Sequence, residues 1–455
     1  MAPRATRSAP ASNGAAAKKR KTDPAAHASF DEDIINRIVN TRSKQRYLKS
    51  QSVALIGAGF SGGQPKGGVD QGPTVLFNEG NLVSQIKELE WEVEVEDHFP
   101  QMEHLKPNHE DTYGILKNVE YTSKVTHRIH DSVKKACEDG KLALTIGGDH
   151  SIAIGTVSGS LAVHKNIGLI WVDAHGDINT PEVTTSGNLH GCPVAFVSGL
   201  AGEVPPFNTW LKPEFDLSRI VYIGLRDLDG PEKKIIRDNN IKAFSMHEVD
   251  KWGIGRVVDA AVKYLYETAP DTKEHPCERD EDGNKLCPIH LSFDVDGLDP
   301  SVAPATGTPV RGGLTFREGH YIMEALHQTG SLVAVDITEV NPELGTVMER
   351  QTTISACSTV DPTPEKALQD ALKSHATGKV VVIATPETMH HKQATEIVTM
   401  KFRVYGKVQA VKLGLVGYVR NNQDAERSVE GVVMGARERV ADLLSFLDYW
   451  ATIMC

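Results

Sequence analysis

Three residues able to hold a cation stand at alternate positions in the run GLIWVDAHGDINT (168–180): Asp173, His175 and Asp177. An apolar stretch ends just before them. In an extended chain positions i, i+2 and i+4 point to one face, so the spacing predicts three potential ligands converging at the end of one strand. Two more carboxylates, Asp294 and Asp296, stand two apart in LSFDVDGLDP (291–300), and His150 follows the apolar run in LALTIGGDHS (142–151). Any one of these alone reads as an ordinary turn residue at a strand end. Four carboxylates and two imidazoles at three strand ends are another matter. Like charges in contact repel, and burial penalises each of them unless a cation neutralises the group. A carboxylate-rich, thiolate-free set suits Mn²⁺ better than structural zinc or copper. Its charge suffices for two divalent ions, and two such ions roughly 3.5–4 Å apart can bridge a water and present it as hydroxide near neutral pH.

The elements that must position these residues are short apolar runs rich in Val, Ile and Leu. The clearest are 52–57, 142–146, 168–173, 220–224, 289–295 and 332–338, with 91–95 and 242–246 weaker. Continuous rather than alternating hydrophobicity predicts strands buried on both faces. Helix-like stretches lie between them, including 121–138 and 312–329. Strand, helix, strand in this rhythm predicts an α/β fold of three αβα layers around a mostly parallel sheet of about eight strands. In such sheets ligands bind outside the carboxyl ends of the strands, where the polar clusters fall.

The motifs GGDHS, DAHGDINTP, SGNLHG and SFDVDGLDP, in this order, resemble the arginase branch of the ureohydrolase family. GAGFSGGQPKGGVDQGP (57–73), YIGLRDLDGPE (222–232), PATGTPVRGGLTFREG (304–319) and DITEVNPELG (336–345) extend the resemblance nearly continuously over about 50–345. It implies hydrolysis of L-arginine to L-ornithine and urea, the step of arginine catabolism used in the urea cycle, by a hydroxide bridging two manganese ions. His150, Asp173, Asp177 and Asp294 would hold one ion; Asp173, His175, Asp294 and Asp296 would hold the other. Asp177 would also move the proton to the departing nitrogen, Glu339 would pair with the guanidinium, and His190 would shuttle protons. Asn179 and Ser186, with Asn188 nearby, would bind the substrate carboxylate, Asp229 and Glu232 the α-ammonium, and Thr308 would either support the substrate site from behind or serve its turn alone. The chain departs from the family with Gly176 between two ligands, where Thr or Ala is usual, with the order Gly230-Pro231, and with an inserted acidic loop at 274–286. The alternatives are an agmatinase or another guanidino-substrate ureohydrolase, and a nuclear or scaffold derivative that has lost turnover.

Composition bounds the rest. A net charge of −11 over 455 residues argues against a nucleic-acid-binding protein and suits a cationic substrate. No apolar run approaches the ~20 residues that span a bilayer, and six scattered cysteines read as a reducing compartment. Cys277 and Cys287, with His275 and His290, lack the spacing of a compact zinc site, and the polar segment around them reads as a surface loop. Residues 1–22 carry Arg4, Arg7, Lys18, Lys19, Arg20 and Lys21 and no acid, a composition expected to be disordered. The expected compartment is the cytoplasm. The Lys18–Lys21 cluster keeps the nucleus open, and the Arg- and Ala-rich start keeps the mitochondrion open. The division expected is a basic tail and lead-in (1–48), a catalytic domain (49–345), an insertion of unknown role (346–420) and a C-terminal helix completing the catalytic domain (421–455). The resemblance also implies a homo-oligomer, a trimer.

Overall fold

All eight apolar runs form strands of one parallel sheet. They are β1 (Ser52–Ala58), β2 (Glu92–Asp97), β3 (Leu142–Gly147), β4 (Gly168–Val172), β5 (Ile220–Leu225), β6 (Lys242–Ser245), β7 (Ile289–Asp294) and β8 (Leu332–Thr338). The computed structural model describes residues 45–97, 102–358, 397–405, 416–421 and 428–436. The sheet order is β2-β1-β3-β8-β7-β4-β5-β6, with every neighbouring pair parallel. Four strands far apart in sequence, β3, β8, β7 and β4, therefore lie side by side in the middle.

Alternation along each strand builds the layers. On β4, Ile170 and Val172 face one side, where they pack with Val257, Val258, Ala261 and Leu265 of α5 (Ile254–Thr268) and Ile322 and Leu326 of α6 (Phe316–Gln328). Leu169 and Trp171 face the other side, with Val157 and Leu161 of α3 (Ala153–Val163). Ile129 and Val133 of α2 (Val119–Asp139) cover Ile56, Ala143 and Ala334 on that same side. Helix ends follow local chemistry: Gly140, at φ 74°, stops α2, and Thr315 and Glu318 form a reciprocal cap on α6. The expected three-layer α/β architecture is the one observed. No helix among the described residues is long and apolar enough to cross a membrane.

The chain divides into two units, residues 43–362 and residues 1–42 with 363–455. In the first, the catalytic boundary expected at 345 falls short. After the EVNP turn comes α7 (Val347–Ser358), which buries Thr353, Ile354 and Ala356. Ala305 N–H donates to Thr353 Oγ1 at 2.9 Å, tying α7 to the 300s loop. In the second unit a helix is expected over 422–447, but residues 428–436 form a strand. This strand, β11 (Ser428–Ala436), pairs antiparallel with β9 (Ile397–Tyr405) and β10 (Val416–Asn421). Val429, Val432 and Val433 fit helical spacing. Branched Val favours strands, however, and Gly431 and Gly435 interrupt a helix. The basic tail, the 379–384 run and residues 437–447 lie outside the described residues. The acidic loop is not formless either: Glu278–Arg279 and Lys285–Leu286 pair as a short hairpin.

Strand β7 ends on the candidate ligand Asp294 and leads into a second, Asp296, and Leu291 within the strand is fully buried. Leu291→Ala should lower unfolding free energy by about 2–5 kcal/mol, read from urea denaturation.

Candidate metal centre

β4 ends at Val172, and its ligands do not follow an extended path. The chain bends at Ala174 and His175, and Asp177 sits at φ 47°, in the left-handed region. The bend, rather than simple alternation, brings Asp173, His175 and Asp177 together. At the tip of β7, Asp294 accepts the backbone N–H of Asp296 at 2.8 Å, which winds Val295–Gly297 into a 3-10 turn. At the tip of β3, Asp149 caps the turn His150–Ile152 through Ser151 N–H at 3.0 Å. A Cβ on Gly148 would strike the Phe60 backbone, so only glycine passes there.

These turns gather two groups of potential ligands, His150, Asp173, Asp177 and Asp294, and Asp173, His175 and Asp296, with ligand atoms within 4.8 Å of one another in each. Asp173 belongs to both groups, and Asp294, expected to be shared, joins only the first. His150 Nδ1 lies 3.2, 3.1 and 3.0 Å from carboxylate oxygens of Asp173, Asp177 and Asp294. It is fully buried, yet none of these contacts has hydrogen-bond geometry. His175 Nδ1 lies 3.4 Å from Asp173 and 3.1 Å from Asp296. A buried nitrogen facing three carboxylate oxygens without a bond to any is the donor set of a cation site, and the residues present fit a divalent pair.

The electrostatics agree. Burial opposes charge on His150, but Asp173, Asp177 and Asp294 hold its pKa well above the ordinary value. Burial likewise opposes charge on His175, and Asp173 and Asp296 push it up to about 12. Burial, then the Asp173 charge, raises Asp177 to about 6. Burial and the charges of Asp296 and Asp173 raise Asp294 well above the carboxylate range. Asp173, despite its burial, is held below that range by His150 and His175. The cluster without metal thus holds protons that a cation would displace.

Of the other expected residues, Glu339 joins the cluster. Its Oε1 accepts from His150 N–H at 3.0 Å and lies 3.1 Å from His190 Nδ1. It sits buried at φ 63°, a conformation costly for a residue with a long side chain. Burial works against a charged His190, but Glu339 pushes it up to about 9. Thr308 donates to Asp296 Oδ2 at 2.8 Å. Asp229 and Glu232 cap α4 (Gly230–Asp238) reciprocally, each side chain accepting the other's N–H, at 2.8 and 3.1 Å. Burial, then the Asp177 charge, raises Glu232 to about 7. Gly230-Pro231 fits this helix start, and a Cβ on Gly176 would lie 3.0 Å from Glu232 Oε1, so the glycine leaves room for that carboxylate. Asn179 donates to Asp229 Oδ2 at 2.9 Å, leaving its buried Oδ1 without a partner. Ser186 accepts Asn188 N–H at 3.2 Å in an exposed loop apart from the clustered ligands. Cys277, Cys287, His275 and His290 do not assemble: Cys287 packs on Arg219 at 3.1 Å, and His290 turns to Asp336 at 2.9 Å.

Several supports of the cluster come from residues outside its six candidate ligands. Trp171 donates its indole N–H to Asp173 Oδ2 at 2.9 Å and stacks on the His150 ring at 4.1 Å. Gln64 donates to Glu339 Oε2 at 3.4 Å, and Arg226 ties the carbonyls of Gly297, Leu298 and Val310. Gln64 lies within FSGGQPKGG, whereas nothing local in the sequence sets Trp171 apart.

The Arginase family model matches residues 51–362, and a second model, Acylphosphatase, matches residues 397–449, which include β9, β10 and β11. An arginase of Neurospora crassa is 46% identical over 74% of this chain and 94% of its own length. Human Arginase-1 is 48% identical over 67% of this chain and 89% of its own. The solved arginase of Bacillus caldovelox matches at a TM-score of 0.59 and 34% identity, over 68% of this chain and 97% of its own.

Glu339→Gln removes the charge that raises His190. In the metal-free protein the His190 NMR titration should move from about 9 down toward the ordinary imidazole range. The pair's stabilisation should be fully present below an unfolded pKa of about 6.5 and lost as pH rises through the folded pKa.

Proposed function

This chain belongs to the arginase family, and from that premise we propose that it hydrolyses L-arginine to L-ornithine and urea at the clustered carboxylates and imidazoles described above. The observation that carries the reading is His150 Nδ1, buried and unbonded among three carboxylates. The metal would be manganese, in keeping with carboxylate-rich, thiolate-free ligation. His150, Asp173, Asp177 and Asp294 would hold one ion, and Asp173, His175, Asp294 and Asp296 the other. When bound, such an ion pair supplies the acidity that makes hydroxide available near neutral pH.

The chain's own residues supply the rest. A guanidinium is resonance-stabilised and a poor electrophile, so its carbon must be fixed in place; Glu339, held by His150 N–H and Gln64, pairs with it. Asp177 takes the proton of the attacking nucleophile and returns it to the departing nitrogen, because ornithine leaves only when that nitrogen is protonated. His190, charged against Glu339 at neutral pH, stands ready to exchange protons with solvent. Asn179 and Ser186, with Asn188 beside them, receive the α-carboxylate, and Asp229 with Glu232 receives the α-ammonium. Agmatine lacks the carboxylate, so these polar groups would remain unpaired with it.

The enzyme is a cytoplasmic homo-oligomer, a trimer by family likeness, with neither membrane nor nucleic acid as partner. Residues 363–455 make a separate module rather than a completion of the catalytic unit, as their own family match and their division from residues 43–362 support.

Purified protein supplied with MnCl₂ should release urea from arginine and lose that activity on chelation. Agmatine should be about 10⁴-fold poorer in kcat/KM; equal turnover of both would replace arginine as the substrate. Asp177→Asn should leave the thermal midpoint near wild type and cut kcat by about 10²–10⁴, and near-normal turnover would remove Asp177 from the proton path.

A further inference from the structure

Behind His150 lies a second polar cluster that the chemistry above leaves unused. Asp336 on β8 and His290 and Ser292 on β7 are each at most 1% exposed, and Ser292 is the direct cross-strand partner of Asp336. One carboxylate oxygen, Asp336 Oδ2, takes three contacts: Thr156 Oγ1 donates at 2.6 Å, Ser292 Oγ at 3.2 Å, and His290 Nε2 lies at 2.9 Å. His290 Nδ1 is 2.8 Å from Ser160 Oγ, whose proton goes to Val157 O at 3.0 Å. Ser292 Oγ is in turn 2.9 Å from His150 Nε2.

Donor counting gives these contacts a direction. A carboxylate only accepts, so the single Ser292 proton goes to Asp336. The Ser292 oxygen can then only accept from His150, which places the imidazole proton on Nε2. Ligation needs the neutral imidazole, which has one N–H, so with that proton on Nε2 the lone pair falls on Nδ1, the atom facing Asp173, Asp177 and Asp294. On the far side, His290 Nε2 donates to Asp336 and its Nδ1 meets Ser160. A buried polar network is weak evidence for stability, and apolar residues of similar volume often serve as well. A network that ends on a candidate ligand nitrogen has another use.

We propose that Asp336, held in place by His290 and Thr156, is a positioning residue that acts through Ser292 to hold His150 in the tautomer whose Nδ1 can ligate a cation. The inference rests on the reading of the cluster as a metal pair. Outer partners of ligating imidazoles usually set ring orientation and basicity in this way. Here the carboxylate reaches the ring through an intervening hydroxyl.

Asp336→Asn is the decisive variant, because the new amide can donate to Ser292. The Ser292 hydroxyl would then turn its proton toward His150 Nε2 and drive the ring proton onto Nδ1. Titration of each metal-free protein with MnCl₂, with free Mn²⁺ read by EPR, counts the sites without any turnover. Wild type should bind two ions. Asp336→Asn should weaken one of them about 10–100-fold and leave the other unchanged, with loss of the spin-coupled pair signal. Ser292→Ala should weaken the same ion, and the double variant should be no worse than the single ones, since both break one chain; Ser292→Ala also serves should Asp336→Asn fold poorly. Thr156→Val removes a donor from the same oxygen but not from the path to His150, and should bind both ions as wild type does. Two tight ions in Asp336→Asn, or an equal loss in Thr156→Val, would overturn the positioning role. Wild type that binds no Mn²⁺ would instead overturn the metal reading on which the inference rests.

Discussion

Four buried carboxylates cannot share a few ångströms of protein interior without compensating positive charge. Asp173, Asp177, Asp294 and Asp296 are each less than a tenth exposed, and every contact around them answers that constraint. His150 and His175 sit between them, Trp171 and Thr308 donate to them, and backbone N–H groups of the two turns point inward. In a low-dielectric site these partners are worth more than on the surface, and leaving one out is correspondingly costly. The same economy extends outward: Glu339, which would face substrate, is held by the N–H of a ligand and by His190. The functional groups are therefore not appended to a finished scaffold. They form one connected polar network.

What the sequence made legible was whatever lies close together along the chain. The strands at 142–146, 168–173, 289–295 and 332–338 were plain from their apolar runs, and the ligands from their motifs. What it did not disclose depends on which strands become neighbours. Ser292 opposite Asp336, and Trp171 opposite Ser292, are facts of register between β7, β8 and β4. No local pattern announces a contact across 142 or 44 residues. The route by which Asp177 reaches the centre was also hidden, since a left-handed residue after a bend leaves no periodic trace.

The C-terminal region shows how one pattern supports two readings. Valines at 429, 432 and 433 suit a helix by spacing and a strand by chemistry, and the glycines at 431 and 435 tip the balance toward the strand. The helix expected there follows the EVNP turn instead, as α7, in a Thr- and Ser-rich stretch of weak helical character. Its Thr353 contact anchors the loop that ends near Thr308, so the helix belongs to the unit that carries the candidate metal centre.

The order of strands in the sheet has a consequence for how the chain is made. β3 and β4 leave the ribosome early, yet two strands must later slot between them, β7 from residue 289 and β8 from residue 332. Until then the growing polypeptide presents two unsatisfied, apolar sheet margins, the kind of surface that sticks to other chains. Assembly of the centre is thus deferred until nearly the whole of this unit has been synthesised.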